Sequence, residues 1–525
     1  MSKGYGKKIV GIATATTLAA ALLAGCSGDK AEEGSAAPSG ASASASAGTG
    51  GEPVEIEMFV NHSWWQFKDW SGKVPEEITK RTGVKLKVTV ASDDKQLPLM
   101  LASDNLPELV FTDKELTRMA TPAASLDWNS LIAQYAPDWK VDPAISGLYT
   151  QADGKFYTML NNYSTEQEWN DNKYALPNGP ALHVRSDIME ALGNPQLNTL
   201  DDLTALLGKV KAQYPDMIPL VSKDVLRFGY LNAQFGLMDY PLEFYEDGQG
   251  GVKYFLNQPG KLDAYKYINS LYRDGYLTGE NFSYKEGSSN AEDLVKSGKA
   301  FAIIDIAQTS DRVNAELESL GKEYRMKPVP KPIGDKAAFY QGTVGWSGVF
   351  ITKNNKHPAE SIKLMQFLFS EEGQRLAQWG IEGEDWTMNA DGYPEFKYNT
   401  QDADYQLKNG NFLWGLLGGS AVNEGLKNYN PKLLGTEVSQ EIKAHYVHSP
   451  ALGLLDPQAD SEERTIMTKL RDMINNEQVK VYMAKSEADA EAAYKDLQAK
   501  AKTIGVDKLE AWANERYRTV VANMK

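Results

Sequence analysis

Apolar and polar residues alternate strictly along Val84-Lys85-Leu86-Lys87-Val88-Thr89-Val90 and more loosely along Val54 to Val60, the period of strands with one face on a core. Between them Val74 to Arg81 has a polar helical pattern, a further helix is expected around Leu97 to Ala102, and Leu109-Val110-Phe111 reads as a short buried strand. Strand, helix, strand, helix, strand predicts a parallel sheet wound with right-handed crossovers. Ligands bind such sheets beyond the strand carboxyl ends, which singles out Asn61 to Trp70 and Thr112 to Lys114.

A second α/β region begins near Leu182-His183-Val184-Arg185. Thr199-Leu200-Asp201-Asp202 has the form of a capping box ahead of Leu203, Leu206, Leu207 and Val210, and Ala300 to Ile306 reads as a later buried strand. Pro358 sits in the first turn of a helix whose apolar face carries Ile362, Met365, Leu368 and Phe369. From Ser461 onward the pattern is helical, through Ile466, Leu470 and Met473, then an Ala-rich stretch from Ser486 to Lys502, then Val506 to Val521. No repeat of solenoid or propeller period is present.

The amino terminus follows different rules. Lys3, Lys7 and Lys8 precede an apolar run from Ile9 to Leu23 that closes on Leu23-Ala24-Gly25-Cys26. This is the three-part form of an export signal, too short and too rich in Ala and Thr for a membrane span. It places the only cysteine of 525 residues at a lipoprotein processing site. Residues 1–25 are therefore expected to be a signal peptide, with Cys26 lipidated and residues 26–52, rich in Ala, Ser and Gly, forming a flexible leash. No later segment offers about 18 consecutive apolar residues.

Loss of the leader's three lysines, with no acid, takes the formal charge from −15 to −18. That balance disfavours nucleic acid and anionic membrane surfaces as partners. The body past the leash is long enough for two or three domains and a core that needs no disulfide. The five histidines are scattered, and His445-Tyr446-Val447-His448 lacks the spacing and the glutamate of a zinc protease helix. There is no Gly-x-Ser-x-Gly elbow and no phosphate-binding Gly-x4-Gly-Lys-Ser/Thr loop, so no cofactor, metal or catalytic residue is assigned. Carboxylates are too numerous for counting alone to dispose of a glycosidase pair.

The aromatic content, 11 Trp and 26 Tyr, changes the picture. A sugar ring offers C–H patches on its faces and hydroxyls at its rim, so its receptor needs flat aromatic platforms beside hydrogen-bonding side chains. His62-Ser63-Trp64-Trp65-Gln66-Phe67-Lys68-Asp69-Trp70 supplies that mixture in the first crevice loop, with Asp113 in the second. The same tryptophans could instead pack beneath a lid.

Lipobox and leash, a first strand running into a Trp-rich loop, Ser103-Asp104-Asn105-Leu106-Pro107-Glu108-Leu109-Val110, Asp153-Gly154-Lys155-Phe156-Tyr157, Leu182 to Asp187 and the helix from Pro358 to Gly373 occur in that order. In this order they resemble the family 1 extracellular solute-binding proteins of ABC importers, in the long branch common in Paenibacillus-like bacteria. The resemblance implies a type II periplasmic-binding-protein-like α/β fold, with two lobes, each a sheet flanked by helices, joined by hinge segments. It implies a first lobe from 53–182 and 343–440 and a second from 183–342 and 441–525, with crossings near Leu182 to Arg185 and Gly342 to Ser347. It also implies that Arg227, Tyr230, Asp305 and Gln308 line the second lobe's side of the cleft. Trp346, at the return crossing, either faces the cleft or packs between lobes. Trp386, near the hinge with Glu382, Glu384 and Asp385, is either a platform or part of a crossing loop, and Trp414 is ambiguous in the same way.

Members of that branch often carry a calcium loop before an Ile-Pro-Leu strand, whereas here only Tyr214-Pro215-Asp216-Met217 precedes Ile218-Pro219-Leu220. Calcium needs six to eight oxygen ligands, so this site is expected to be missing. The function implied is a monomeric, lipid-anchored receptor that captures an oligosaccharide and delivers it to a membrane permease. A surface-anchored glycan-degrading enzyme and a receptor for a peptide or other small solute are the alternatives.

Overall fold

The period-two segments build the first sheet. In the computed structural model, which describes residues 52–523 apart from 94, 152, 225–227, 239–242, 286–287, 343 and 459, β1 (Val54–Val60) lies between β2 (Val84–Val90) and β3 (Leu109–Thr112), parallel to both. Cys26, the leader and nearly all of the leash fall outside the described residues. A strand from much later, Gly348–Ile351, closes the sheet antiparallel to β3. The three strands expected to run parallel do so, and the sheet as a whole is mixed because this fourth strand arrives from a distant part of the chain in the opposite sense. Ile56, Met58, Leu109 and Phe111 bury against Ile362, Met365 and Leu368 of the helix Pro358–Phe369.

The second sheet runs β5 (Ile218–Ser222), Ala300–Ile306, β4 (Pro180–Arg185) and Met326–Pro328, with β4 antiparallel to both its neighbours. The chain thus enters this sheet at Pro180, and Leu182 to Arg185, expected as a crossing, is part of a strand. Thr199 caps the helix Leu200–Gln213: its hydroxyl accepts from the Asp202 amide at 3.0 Å while the Asp202 carboxylate accepts from the Thr199 amide at 3.0 Å. That helix buries Leu203, Leu206, Leu207 and Val210, and the turn Tyr214 to Met217 leads directly into β5. The three last helices, Glu462–Tyr482, Glu487–Ile504 and Val506–Asn523, add Leu470, Leu497 and Leu509 to the same core as Phe301 and Ile304.

Between the two sheets the chain passes through a bundle of short crossings. Leu160 bridges to Gly348, and Tyr163 bridges to both Val344 and Ser420. Their amides are paired across the bundle, Asn161 to the Ser347 carbonyl at 2.8 Å and Asn162 to the Gly419 carbonyl at 2.7 Å. Beside them Phe339–Gln341 pairs in parallel with Tyr446–His448. Away from the crossings, the helix Pro143–Tyr149 of the first lobe touches Val506–Asn523 of the second. Among the described residues no helix is long and apolar enough to cross a membrane.

Candidate functional site

The site begins with a glycine. Gly345 has φ +81°, and a Cβ there would lie 2.2 Å from the Asn161 carbonyl oxygen, so only glycine lets the return crossing press this closely on its neighbour. The Asn161 side chain fixes the contact: its Oδ1 accepts from the amides of Trp346 (3.3 Å) and Ser347 (3.2 Å), and its Nδ2 donates to the Leu416 carbonyl at 2.9 Å. Trp346 is turned outward and remains 36% exposed.

From the first lobe, the loop after β1 brings His62 and Trp64 to the same place. His62 is buried, with Nε2 2.9 Å from the Ser347 hydroxyl and Nδ1 3.6 Å from Asp113 Oδ1. Its ring sits 5.1 Å from that of Trp64 and 5.3 Å from that of Trp346, and the two indoles are 6.1 Å apart, inclined at 42°. Trp64 is 51% exposed. A buried imidazole thus props two exposed indoles into a shallow aromatic notch.

Trp346 floors a cavity of about 830 Å³ with walls from both lobes. The first lobe contributes Asp113, Lys114, Glu115 and Thr117; the second contributes Glu243, Tyr340, Leu452, Gly453, Leu455 and Asp456, and Arg464, Thr468 and Arg471 on one face of the helix Glu462–Tyr482. Arg471 pairs with Glu243 and Arg464 with Asp456, so each guanidinium is held by a carboxylate. Burial pushes the Tyr340 hydroxyl up, keeping it a neutral donor. Such a wall offers oriented donors and acceptors in balanced charge.

Of the residues singled out from sequence, His62, Trp64, Asp113 and Trp346 come together. Trp65 does not: it is 1% exposed and packs on Phe67, Phe111 and Trp414, because successive side chains of the loop face opposite ways and one must complete the core. Trp70 also packs on Trp414 and donates to Thr79 at 2.9 Å, while Asp69 is exposed and lines no wall of the cavity. Tyr230 is buried in the second core. Asp305 lies buried 3.6 Å from Arg312, and Gln308 donates to the Ser439 hydroxyl at 3.3 Å beneath the helix Gly435–Ala444. Trp386 belongs to a hairpin core, edge-on to Trp379 and donating to the Gly380 carbonyl, and Trp414 is fully buried. Arg227 lies outside the described residues. Asp305 and Gln308 thus lie beneath Gly435–Ala444, and the second lobe's wall of the cavity comes instead from the helix Glu462–Tyr482 and the residues just before it. The spacing of Arg464, Thr468 and Arg471, one helix face at i, i+4 and i+7, was the signal available for it.

Two α/β lobes about a bundle of crossings define a type II periplasmic solute-binding fold. The chain superposes on the alginate-binding protein AlgQ2 without calcium ion with a TM-score of 0.67 at 20% identity, covering 89% of this chain and 98% of that one. It superposes on an HMO-binding, ABC-transporter-associated solute-binding protein of Bifidobacterium longum infantis with a TM-score of 0.66 at 15% identity (89% of this chain and 99% of that one covered). The Streptococcus pneumoniae substrate-binding protein FusA, an EF-hand mutant in complex with fructo-nystose, gives 0.66 and 18% (90% and 100%). Residues 64–375 match the bacterial extracellular solute-binding protein family, and the chain belongs to it. No curated protein matches the chain.

Proposed function

We propose that this protein is the lipid-anchored receptor of an ABC importer, capturing an oligosaccharide between its lobes and delivering it unaltered to a membrane permease. The observation that carries this reading is the Trp346 indole in a cavity whose second-lobe wall is made of ion-paired side chains, with the exposed Trp64 indole beside it. Indole faces suit sugar C–H patches, while guanidinium and carboxylate edges suit hydroxyl rims. A cavity of about 830 Å³ is at the upper end of the range for small-molecule sites and holds several sugar rings. Oligosaccharide ligands in the names of like-folded proteins support the same class. Leu23-Ala24-Gly25-Cys26 supports the anchor, which places the receptor on the extracellular face of the cell membrane.

Ligand contacts with both lobes stabilise the closed form by interactions that the open form cannot make, and that differential affinity drives closure. A thermal-shift screen against mono- and oligosaccharides, followed by calorimetry, tests this directly. Stoichiometric binding without new reducing ends is the expected result. Release of sugar fragments by purified protein would overturn the reading in favour of a hydrolase. Replacement of Cys26 by alanine is expected to release the chain from the membrane fraction.

A further inference from the structure

Both arginines on the wall of the cavity between the lobes are held by carboxylates, Arg471 by Glu243 and Arg464 by Asp456. Resting on the saccharide-receptor reading, we propose that Glu243 and Asp456 determine specificity: by neutralising the two guanidinium groups they make this wall accept a neutral oligosaccharide in preference to a uronate-bearing one.

The two pairs are built independently. Glu243 comes from the turn into the strand Phe244–Glu246 and accepts from Arg471 Nε. Asp456 comes from the loop before the helix Glu462–Tyr482 and accepts from Arg464 Nη2, while Arg464 Nε donates to the Pro457 carbonyl at 3.0 Å. Neither is the i, i+4 pairing that a helix surface supplies by itself. On the first lobe's side Glu115 accepts from Arg118 at 3.1 Å, Asp113 lies 3.6 Å from His62, and Lys114 is not left free. The lining thus holds three cations, Lys114, Arg464 and Arg471, against four carboxylates, Asp113, Glu115, Glu243 and Asp456.

Charge decides what such a wall accepts. A guanidinium has five N–H donors, and the contacts within the protein use only some of them, so N–H groups remain for neutral hydroxyls. A uronate carboxylate seeks the charge as well as the donors, and finds a carboxylate already in place. It must displace Glu243 or Asp456, or lose its water against a lining with an excess of negative charge. A hydroxyl meets neither cost. Arg464 and Arg471 are seven residues apart on one helix, about 10.5 Å along its axis and so roughly two sugar rings apart, with Thr468 between them. The two pairs therefore act on neighbouring units of one saccharide.

Calorimetry on the full chain with maltotetraose, cellotetraose, mannotetraose, xylotetraose and nystose, and with tetragalacturonate and tetramannuronate, tests the assignment. Wild type is expected to bind its best neutral tetrasaccharide at least about tenfold more tightly than either uronate. Glu243→Gln combined with Asp456→Asn, nearly isosteric changes that leave both guanidinium charges unmatched, should close that gap by about tenfold, whatever they do to neutral affinity. Taking two charges from a chain of formal charge −15 hardly alters its long-range field, so a closed gap reports the wall. Either substitution alone should close the gap in part, and decides the matter if the double variant does not fold. A gap that the folded variants leave intact, or a uronate that wild type binds as tightly as the best neutral tetrasaccharide, would overturn the specificity assignment and leave the receptor standing. Binding of none of the seven would overturn both.

Discussion

Trp64 and Trp65 are neighbours in sequence with opposite physical roles. One indole is half exposed beside Trp346; the other is sealed among Phe67, Phe111 and Trp414. Trp64→Ala is therefore expected to lower saccharide affinity roughly 10- to 100-fold with an unchanged unfolding midpoint, as one stacking platform is lost. Trp65→Ala should cost about 3–5 kcal/mol of stability in urea unfolding, the cost of a large buried cavity. A pair of aromatics in a crevice loop was legible as a ligand feature, but which of the two faces outward depends on a loop conformation that no local pattern encodes. His183 makes a second residue-scale case. Fully buried, with ring nitrogens engaged by the Ser310 hydroxyl and the Ile306 carbonyl, its imidazole is pushed down to about 4 by desolvation. The unfolded chain takes up that proton near pH 6.5, so stability is complete above that pH and falls as pH drops toward 4, by up to about 3 kcal/mol. Urea unfolding between pH 4 and 7 should show this slope, and His183→Gln should flatten it.

At the scale of elements, long periodic segments were legible because their pattern is local. β1, β2, the capped helix Leu200–Gln213 and the Ala300–Ile306 strand all lie where alternation and capping residues put them. Phe339–Gln341 and Tyr446–His448 carry no such signal, being three residues each and paired with one another across a hundred residues of chain. They matter, since Tyr340 lines the cavity between the lobes. The return crossing is equally dependent on its neighbour. Gly345→Ala is expected to strain a left-handed backbone and drive the Cβ into Asn161, costing about 1–3 kcal/mol and displacing Trp346. A lowered melting temperature with a shifted tryptophan emission would register both effects.

For the whole molecule, the decisive feature is that each lobe has its own core while the cleft belongs to neither. Ligand that binds only the folded, closed arrangement should stabilise it by about 2.7 kcal/mol at a hundredfold excess over Kd. Small-angle scattering should record a fall in radius of gyration on adding saccharide, and Trp64→Ala should require proportionally more saccharide to reach the same radius. An unchanged radius at saturation would rule out closure as the response.

The expectation of an export signal with a processing site at Cys26, the acidic balance and the alternation of α and β segments all rest on local sequence, because each depends on composition or on a period shorter than about ten residues. The antiparallel fourth strand of the first sheet, the burial of Trp65, Tyr230 and Trp386, and the place of Arg464 and Arg471 on the cavity wall were decided only in three dimensions. They depend on which distant segment arrives alongside: Gly348–Ile351 beside β3, Gly435–Ala444 over the second sheet, and the helix Glu462–Tyr482 on the cavity wall. Packing between elements far apart in the chain selects which side chains remain exposed, and exposure within a shared groove is what makes a residue part of a binding site.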